Sequence, residues 1–261
     1  MTAAIALPLV ILLILKGTCE QFGFFVFALS LLGLYEFYRM ALPARNLLGI
    51  IASFAGALLP LSLIVSDRPQ IFPLLTLLVI SFALYFLFTF KELRAATMEL
   101  SLLGLGFLYI PILLVHLQML RCLPHGQKWL FLMMVIVMAG DTAAFYVGTR
   151  FGRKKLCPRV SPNKSVEGAL GGLAGSLIGA LIAGYTFFPE MTTADTLVTA
   201  ILFGMIGQLG DLFESFLKRS FGVKDSGTIF PGHGGVLDRL DSILFAAPFA
   251  FYYAVYLFQG R

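Results

Sequence analysis

Most of the residues that could do chemistry lie in one polar stretch, residues 215–241, of an otherwise apolar chain. These 27 residues hold eight ionisable side chains, which are Lys218, Arg219, Lys224, Asp225, His233, Asp238, Arg239 and Asp241. Cations and carboxylates this close together create strong local fields, which suit the binding of charged groups such as phosphates. We therefore expect the rest of the chain to act mainly as a scaffold that brings further polar residues to this place.

Two pairs of carboxylates with helical spacing bracket this stretch. The first pair belongs to a row with offsets of 0, 3, 4 and 7, made of Asp211, Glu214, Ser215 and Lys218. Residues at these offsets lie along one face of a helix. Asp238 and Asp241 are also three residues apart and share a face at the start of the following span. Paired carboxylates without a matching set of cysteines or histidines favour a hard cation such as Mg²⁺, which in turn indicates a phosphate substrate.

A glycine-rich segment, residues 226–235, connects the two pairs and contains four glycines. Backbone N–H groups in such a segment can bind an anion. A flexible connection between helices is the alternative interpretation, but the cations and carboxylates that flank the segment favour an anion site. A second polar loop, residues 148–164, carries six cations and ends in a turn that leads into Glu167. The ordinary excess of positive charge in cytoplasmic loops explains the cations but not the turn.

The composition indicates which elements position these residues. Hydrophobic residues make up 59% of the 261 residues, charged residues make up 13%, and the mean hydropathy is +0.90. Soluble proteins contain about 25% charged residues. The chain is therefore predicted to be an all-α, polytopic integral membrane protein with a single membrane domain over residues 1–261. The net charge of +5 fits positive loops that meet anionic lipid or phosphate, so we expect no nucleic-acid partner.

Nine apolar segments are predicted to cross the membrane, in which a spanning helix needs about 17–25 residues. Their approximate bounds are 2–15, 22–40, 47–65, 71–90, 99–120, 129–148, 166–189, 195–216 and 241–258. The first segment is the shortest. Residues 1–120 are assigned as scaffold helices, and residues 129–258 as the catalytic helices with their cytoplasmic loops.

The distribution of positive charge predicts the orientation of these spans. Fourteen of the 19 Lys and Arg residues fall in one set of alternate loops, and five fall in the other. Because cytoplasmic loops carry the excess of Lys and Arg, the first set is assigned to the cytoplasm. We therefore expect a multi-pass protein of the cell's cytoplasmic (inner) membrane, with its active site on the cytoplasmic side.

This orientation brings polar residues of the last four spans to one membrane face. They are Asp141 on the sixth span, Lys164, Ser165 and Glu167 at the start of the seventh, Asp211 and Glu214 near the end of the eighth, and Asp238 and Asp241 at the start of the ninth. An ionised aspartate inside a spanning helix costs about 2.5–3.5 kcal/mol on insertion scales and usually marks function. The alternative is that Asp141 and Asp211 each pair with a nearby Lys or Arg to hold helices together.

The first five spans contain few polar residues. Glu36 and His116 are the main ones, and for both the favoured interpretation is an interfacial side chain or a hydrogen bond between packed helices. In the seventh span Gly171, Gly175 and Gly179 recur at every fourth position. Such a row permits close helix packing in lipid, and it makes a homodimer a possible partner arrangement.

The polar stretch resembles the signature of the phosphatidate cytidylyltransferases, also called CDP-diacylglycerol synthases. The matching positions are Ser215, Leu217, Lys218, Arg219, Lys224, Asp225, Gly227, Pro231, Gly232, His233, Gly234, Gly235, Asp238, Arg239 and Asp241. Two upstream blocks, residues 141–148 and 161–168, are also similar to the family, although Asn163 stands where a lysine is frequent. The resemblance covers residues 139–247 strongly, and the first 120 residues match only in hydropathy.

The resemblance implies that CTP and phosphatidate, within membrane lipid, are converted to CDP-diacylglycerol and pyrophosphate in phospholipid biosynthesis. It implies two metal ions, one of them Mg²⁺, with Asp211 and Asp238 as chief ligands, assisted by Ser165 and, in second line, by Glu214 and Asp241. The implied phosphate-handling cations are Lys218, Arg219, Lys224 and Arg239. His233, Gly234 and Gly235 would position a phosphate, and Asp225 would contact substrate. Asp141, Lys164 and Glu167 would complete the polar wall.

Two other functions are compatible with parts of the sequence. A membrane transporter would also place acids and glycine-rich segments in its spans, but it predicts charges near mid-membrane and an inverted repeat, and the sequence shows neither. A CTP-using enzyme that acts on another lipid phosphate would keep the same phosphate-handling residues. Lipid specificity is what separates that enzyme from a phosphatidate cytidylyltransferase.

Overall fold

The computed structural model describes residues 2–65, 70–229 and 234–258. The first six helices within these ranges are α1 (Thr2–Lys16), α2 (Cys19–Ala41), α3 (Asn46–Val65), α4 (Ile71–Thr89), α5 (Leu93–Tyr109) and α6 (Pro111–Arg121). After α7 (Gly126–Phe151) come the strands β1 (Lys155–Cys157) and β2 (Ser161–Ser165), followed by α8 (Val166–Thr186), α9 (Thr193–Ser220) and α10 (Leu237–Tyr252). A short π-helical segment, Tyr253–Leu257, continues α10.

In the part of the chain that the structure describes, eight helical segments are long and apolar enough to cross a membrane. They are α2, α3, α4, α5 with α6, α7, α8, α9, and α10 with its π-helical extension. The all-α, multi-pass architecture is confirmed. The predicted count of nine also included α1, whose 15 residues make it shorter than the other spans.

The loop predicted over residues 148–164 is partly ordered secondary structure. Helix α7 continues past the predicted end of the sixth span to Phe151. The strands β1 and β2 then pair antiparallel, with Lys155 opposite Ser165. The excess of positive charge in cytoplasmic loops explains the cations of this region but not its turn. The hairpin accounts for the turn, because it gives residues 161–165 a fixed position at the start of α8.

The chain forms two compact units, each made of two pieces of sequence. The first unit comprises residues 1–118 and 225–238, and the second comprises residues 119–224 and 239–261. The first boundary lies close to the predicted end of the scaffold at residue 120. Residues 225–238 belong to the same unit as residues 1–118, and the division into scaffold and catalytic helices stays a prediction.

In the first unit, α2 packs against α3 and α5. A Cβ atom on Gly56 of α3 would lie 2.7 Å from a methyl carbon of Leu34, so glycine permits this close approach. Tyr38 of α2 is buried, and its hydroxyl donates a hydrogen bond of 2.9 Å to the carbonyl of Leu103 in α5. A buried hydroxyl with a partner holds two helices in one register. His116 lies in α6, and its Nδ1 is 2.8 Å from the carbonyl of Ile112 in the same helix.

In the second unit, α8 packs closely along α7 through the predicted glycine row. A Cβ atom on Gly171 would lie 2.6 Å from the side chain of Val147, and one on Gly179 would lie 3.1 Å from Ala139. The prediction of close helix packing is confirmed. Because the row packs against α7 of the same chain, it gives no support to the homodimer.

Replacing Gly175 in this row with alanine is expected to destabilise the second unit. A Cβ atom there would lie 2.5 Å from Cβ of Ala143 and 2.6 Å from the carbonyl oxygen of Ala139, so the helices must separate. Such overpacking typically costs about 1–3 kcal/mol. Thermal unfolding in one detergent would measure the loss against Gly104→Ala, because a Cβ on Gly104 meets nothing within 4 Å. Equal melting temperatures for the two variants would contradict this account of the glycine row.

Candidate active site

The row predicted on the eighth span is a continuous face of helix α9. The ammonium nitrogen of Lys218 lies 2.5 Å from Oε2 of Glu214, one turn earlier. The hydroxyl of Ser215 lies 3.5 Å from Oδ1 of Asp211, at the outer limit of a hydrogen bond. The Glu214 side chain is 2% exposed. The predicted helical spacing is confirmed, and α9 presents two carboxylates, a hydroxyl and an ammonium group along one face.

An ion pair joins α9 to the hairpin. The Nζ atom of Lys164, on β2, lies 2.5 Å from Oδ2 of Asp211, and both side chains are 28% exposed. Partial burial lowers the local dielectric constant and strengthens such a pair relative to one in bulk water. The alternative interpretation of Asp211 predicted such a contact, in which a nearby lysine pairs with the carboxylate to hold structural elements together. Substitutions of Asp211 and Lys164 distinguish this structural role from a catalytic one.

Two more carboxylates complete the group. Asp241, on α10, interacts electrostatically with Asp211, Glu214 and Asp141, and Asp141, on α7, also interacts with Lys164. We call this set the acidic cluster, and its members are Asp141, Lys164, Asp211, Glu214, Lys218 and Asp241. They come from α7, β2, α9 and α10. Five of the residues predicted to converge, which are Asp141, Lys164, Asp211, Glu214 and Asp241, therefore lie close together, and Lys218 joins them through Glu214.

The donor atoms of the acidic cluster suit a hard cation. Four carboxyl groups that lie close together repel one another when they are ionised, and the two lysines pair with two of them. Oxygen ligands of this kind are those that Mg²⁺ prefers. Across residues 2–65, 70–229 and 234–258, no group of three His, Cys, Asp or Glu side chains is already arranged to hold a metal ion. The cluster thus fits Mg²⁺ by its chemistry, and the metal stays a prediction.

Arg219 contacts backbone carbonyl groups near the end of α9. Its Nε donates to the carbonyl of Val160, at 3.4 Å, and its Nη1 donates to the carbonyl of Val223, at 3.2 Å. Gly222, which directly precedes Val223, has a φ of +73°. Glycine adopts this conformation without strain, and it commonly ends a helix. In this structure Arg219 therefore holds the backbone that follows α9 and the turn between β1 and β2. Its phosphate contact stays a prediction.

Ser165 and Glu167 fix the start of α8. Ser165 is buried, and its hydroxyl accepts a hydrogen bond of 3.1 Å from the N–H of Gly168, which makes it the N-cap residue. The Glu167 carboxylate accepts hydrogen bonds from the N–H groups of Arg153, at 3.0 Å, and Lys154, at 3.2 Å. Metal binding by Ser165 and substrate contact by Glu167 stay predictions. In this structure Ser165 caps α8, and Glu167 holds the backbone of Arg153 and Lys154.

Glu36 is the centre of a hydrogen-bond network in the first unit. Its side chain belongs to α2 and is buried, at 2% exposure. Oε1 accepts from the N–H of Val236 and Oε2 accepts from the N–H of Leu237, both at 2.9 Å. Leu237 is the first residue of α10 and Val236 directly precedes it, so the helix dipole favours a negative group at this position. A residue of the predicted scaffold thus binds the backbone that directly follows the glycine-rich segment.

Asp238 accepts three hydrogen bonds on one carboxylate oxygen. Its Oδ2 accepts from the N–H and the hydroxyl of Ser226, at 2.9 and 2.8 Å, and from the N–H of Gly235, at 2.8 Å. The Ser226 hydroxyl also lies 3.1 Å from Oε2 of Glu36. We call the connected residues Glu36, Ser226, Gly235, Val236, Leu237 and Asp238 the Glu36 network.

The Glu36 network changes the interpretation of the glycine-rich segment. The sequence predicted that Gly234 and Gly235 position a substrate phosphate. In this structure the N–H of Gly235 donates to Asp238, and Gly234 has a φ of +79°, with its added Cβ position only 2.5 Å from Oδ2 of Asp238. The anion bound by the N–H of Gly235 is the carboxyl group of Asp238, and the phosphate contact of Gly234 and Gly235 stays a prediction.

The remaining predicted site residues are Lys224, Asp225, His233 and Arg239. Lys224, Asp225 and Arg239 are exposed. His233 falls outside the described residues, as do Pro231 and Gly232 of the signature. The metal-ligand role of Asp238 is a prediction that its three hydrogen bonds do not test.

Sequence reasoning missed the importance of Glu36 and Ser226. Glu36 was interpreted as an interfacial or helix-packing residue because it lies at the end of an apolar span. An ionisable residue inside a spanning helix is a functional candidate by default, and that signal was available for Glu36. Ser226 offered no comparable signal, since a serine in a glycine-rich segment is ordinary.

A multi-pass helical membrane protein with clustered acids and lysines has the make-up of a membrane-embedded enzyme that acts on phosphate groups. Comparison with known proteins specifies this class. The chain belongs to the cytidylyltransferase family, whose model matches residues 1–257.

Similar proteins extend over almost the full length of the chain. A phosphatidate cytidylyltransferase of Staphylococcus epidermidis is 34% identical over 256 residues, which are 95% of each chain. That of Staphylococcus aureus is 33% identical over 256 residues, again 95% of each chain. That of Bacillus subtilis is 35% identical over 182 residues, 70% of this chain and 65% of the relative.

Proposed function

We propose that this enzyme transfers a cytidylyl group from CTP to phosphatidate, which yields CDP-diacylglycerol and pyrophosphate. The observation that carries the proposal is the 34% identity to a phosphatidate cytidylyltransferase over 95% of both chains. The carboxyl groups and the two lysines of the acidic cluster are side chains of the kind that this reaction needs. The apolar helices suit a substrate whose acyl chains lie in the bilayer.

In the proposed reaction, a phosphate oxygen of phosphatidate attacks the α-phosphorus of CTP. A new phosphorus–oxygen bond forms, and the bond from the α-phosphorus to the oxygen that bridges to the β-phosphate breaks, so pyrophosphate leaves with that electron pair. The attacking oxygen is already anionic, so little help from a general base is needed. The main obstacle is the repulsion between two negatively charged substrates, which preorganised positive groups reduce.

The chain's own cations would meet this need. Lys218, Arg219, Lys224 and Arg239 would bind the phosphates of CTP and phosphatidate and offset the charge that develops on the leaving pyrophosphate. Lys218 is already fixed on the α9 face by its contact with Glu214. Lys164 would contribute positive charge beside Asp211. His233 and Asp225 would contact substrate as the family signature implies.

Asp211 and Asp238 would be the chief ligands of bound Mg²⁺ and a second metal ion, with Ser165, Glu214 and Asp241 as further candidates. When bound, such ions neutralise phosphate charge and stabilise the attacking and leaving oxygens. The residues' part is to provide oxygen ligands held in place by helices. Asp141 and Glu167 would contribute to the wall around the substrates.

We also propose the cytoplasmic face of the inner membrane as the location of the reaction. The excess of Lys and Arg in one set of alternate loops supports this orientation. If α1 does not cross the membrane, the N-terminus lies on the same side as the start of α2. The loops from α2 onward keep the sides of the membrane to which the charge distribution assigns them. A homodimer stays part of the proposal, without support from the glycine row.

Purified enzyme is expected to move label from [α-³²P]CTP into the lipid phase when Mg²⁺ and phosphatidate are both present. Removing divalent metals with EDTA should abolish the transfer, and excess Mg²⁺ should restore it. The reason is that the Lys and Arg side chains alone cannot offset the negative charge of the two substrates. Folded protein that gives no labelled lipid would rule out the proposed function.

The same assay separates the alternative lipid substrates. Phosphatidate is compared at equal surface concentration with a polyprenyl phosphate and with diacylglycerol, which lacks the attacking phosphate. A product formed faster from polyprenyl phosphate would assign the enzyme to another lipid phosphate. Diacylglycerol should give no product.

A further inference from the structure

We propose that Glu36 is a positioning residue for cytidylyl transfer, acting through Ser226 and the start of α10 to hold Asp238 in its working orientation. This inference rests on the proposed function. It assigns a role to a residue in the second helix, far in sequence from the family signature. Glu36 itself would touch neither substrate.

The first observation is the number of donors that converge on the buried Glu36 carboxyl group. The backbone N–H groups of Val236 and Leu237 donate to its two oxygens at 2.9 Å, and the Ser226 hydroxyl lies 3.1 Å from Oε2. A carboxyl group that is 2% exposed needs such partners, because burying it without them costs free energy. Three donors from two chain segments therefore fix the side chain and are fixed by it.

The second observation is the Ser226 hydroxyl, which lies between two carboxyl groups. It is 2.8 Å from Oδ2 of Asp238 and 3.1 Å from Oε2 of Glu36. A serine hydroxyl has one proton and can donate a full hydrogen bond to one acceptor at a time. The hydroxyl therefore shares its proton between the two carboxyl groups, with the shorter contact to Asp238, and so links Glu36 to Asp238.

The third observation is steric. A Cβ atom on Gly235 would lie 2.4 Å from Oε2 of Glu36, and one on Gly227 would lie 2.5 Å from Oε1. Glycine at both positions lets the backbone close around the carboxyl group. The Glu36 side chain therefore fills a space that the surrounding backbone leaves for it, and a smaller residue would leave that backbone without support.

These contacts lead to Asp238. Ser226 donates to Asp238 and also contacts Glu36. Gly235 donates to Asp238 and directly precedes Val236, which donates to Glu36. If Asp238 needs a fixed orientation to bind metal or substrate, loss of the Glu36 contacts should reduce turnover even though the Asp238 carboxylate is still present. Residues that orient a ligand in this way typically contribute about 10–100-fold to activity or metal affinity.

Glu36→Gln is the variant that tests the proposal. Glutamine has the same shape, but its amide nitrogen would face a backbone N–H on one side or the other, so at least one hydrogen bond is replaced by a repulsive contact. We expect kcat to fall about 10–100-fold, the effect usual for an orienting residue, with a change in the KM for CTP of less than about threefold. The Mg²⁺ concentration for half-maximal activity should rise.

Tyr38→Phe is the matched control. Tyr38 lies two residues away on the same helix, and its hydroxyl makes a buried hydrogen bond to Leu103. The substitution therefore removes a buried polar contact of the first unit without touching the Glu36 network. It should lower thermal stability without lowering kcat for the fraction of enzyme that is folded.

Hydrogen–deuterium exchange gives a readout that does not depend on activity. Exchange at the amides of Gly235, Val236 and Leu237 should accelerate in Glu36→Gln and stay unchanged in Tyr38→Phe. Faster exchange with an unchanged kcat would show that Glu36 only stabilises the fold and would overturn the proposal. Unchanged exchange would overturn the contacts on which it stands.

The double variant Glu36→Gln, Ser226→Ala completes the test. If Glu36 and Ser226 act together on Asp238, the combined loss of kcat should be smaller than the product of the two single losses. Losses that multiply would contradict a shared action on Asp238. If the wild type forms no labelled CDP-lipid, the proposed function fails, whereas an active wild type with a fully active Glu36→Gln variant refutes the positioning role alone.

Discussion

Asp211→Asn is expected to lower kcat by about a thousandfold, the scale of losing a group that acts directly on a transferring phosphoryl group. The substitution keeps the size of the side chain but removes its negative charge. Folding should be largely preserved, because the amide oxygen can take the place of Oδ2 and accept from Lys164, while the amide nitrogen in the place of Oδ1 can donate to the hydroxyl of Ser215. A loss of this size in folded protein would show that the charge of Asp211 is used in the reaction.

The ion pair with Lys164 provides the competing explanation, and Lys164→Met distinguishes the two. If Asp211 only holds α9 against the hairpin, removing either partner should have the same effect on activity, and removing both should add little. If Asp211 binds metal, Asp211→Asn should lose far more kcat than Lys164→Met. Lys164→Met should instead raise KM, since its predicted contact is with substrate.

A second aspartate of α9 supplies the control for Asp211→Asn. Asp195 lies in the first turn of the same helix and accepts from Thr192 and from the hydroxyl of Tyr253. Asp195→Asn makes the same chemical change at the opposite end of α9, so it should affect melting temperature without changing kcat. A kcat for Asp211→Asn within about tenfold of wild type would remove Asp211 from the metal ligands, because direct phosphoryl-transfer groups have larger effects.

Sequence periodicity predicted the features of the fold that depend on short distances along the chain. The row from Asp211 to Lys218 follows from helical geometry, and Gly171, Gly175 and Gly179 were correctly placed at a helix contact. Both patterns repeat within a few turns of one helix, so no knowledge of the tertiary fold is needed. The acidic cluster followed from adding an orientation for the spans, which places the ends of neighbouring helices at one face.

The Glu36 network could not be predicted in the same way. Glu36 and Val236 are 200 residues apart in sequence, and nothing in their spacing indicates contact. The glycine-rich segment offered several N–H groups for an anion, and a substrate phosphate was the obvious partner. The structure shows that Gly235 donates to Asp238, three residues later, and that Val236 and Leu237 donate to Glu36, a contact that only tertiary packing determines.

The two groups of contacts assign different work to the two carboxylates at the start of α10. Asp238 is held by Ser226 and Gly235 in the first unit, whereas Asp241, one turn later, belongs to the acidic cluster of the second unit. The sequence treated these aspartates as one pair on one helix face. Because their surroundings differ, substitutions of the two should have different effects on stability and activity.

Asp238→Asn should abolish most turnover while leaving the fold intact. Three donors from Ser226 and Gly235 reach the single oxygen Oδ2 of Asp238. An asparagine whose amide oxygen takes the place of Oδ2 can keep these hydrogen bonds, so the substitution removes the charge with little loss of stability. We expect kcat to fall by about a thousandfold, as for Asp211→Asn, if the charge acts on the transferring group.

Asp238→Ala separates the charge of this residue from its structural contacts. Alanine leaves three donors without their acceptor, and each buried donor that stays unsatisfied costs about 1–3 kcal/mol. Alanine should therefore lower the melting temperature well below that of Asp238→Asn, while both variants lose turnover alike. If Asp238→Asn instead keeps kcat within about tenfold of wild type, a far smaller loss than removal of a phosphoryl-transfer group causes, the residue serves to hold the segment and the metal-ligand assignment fails.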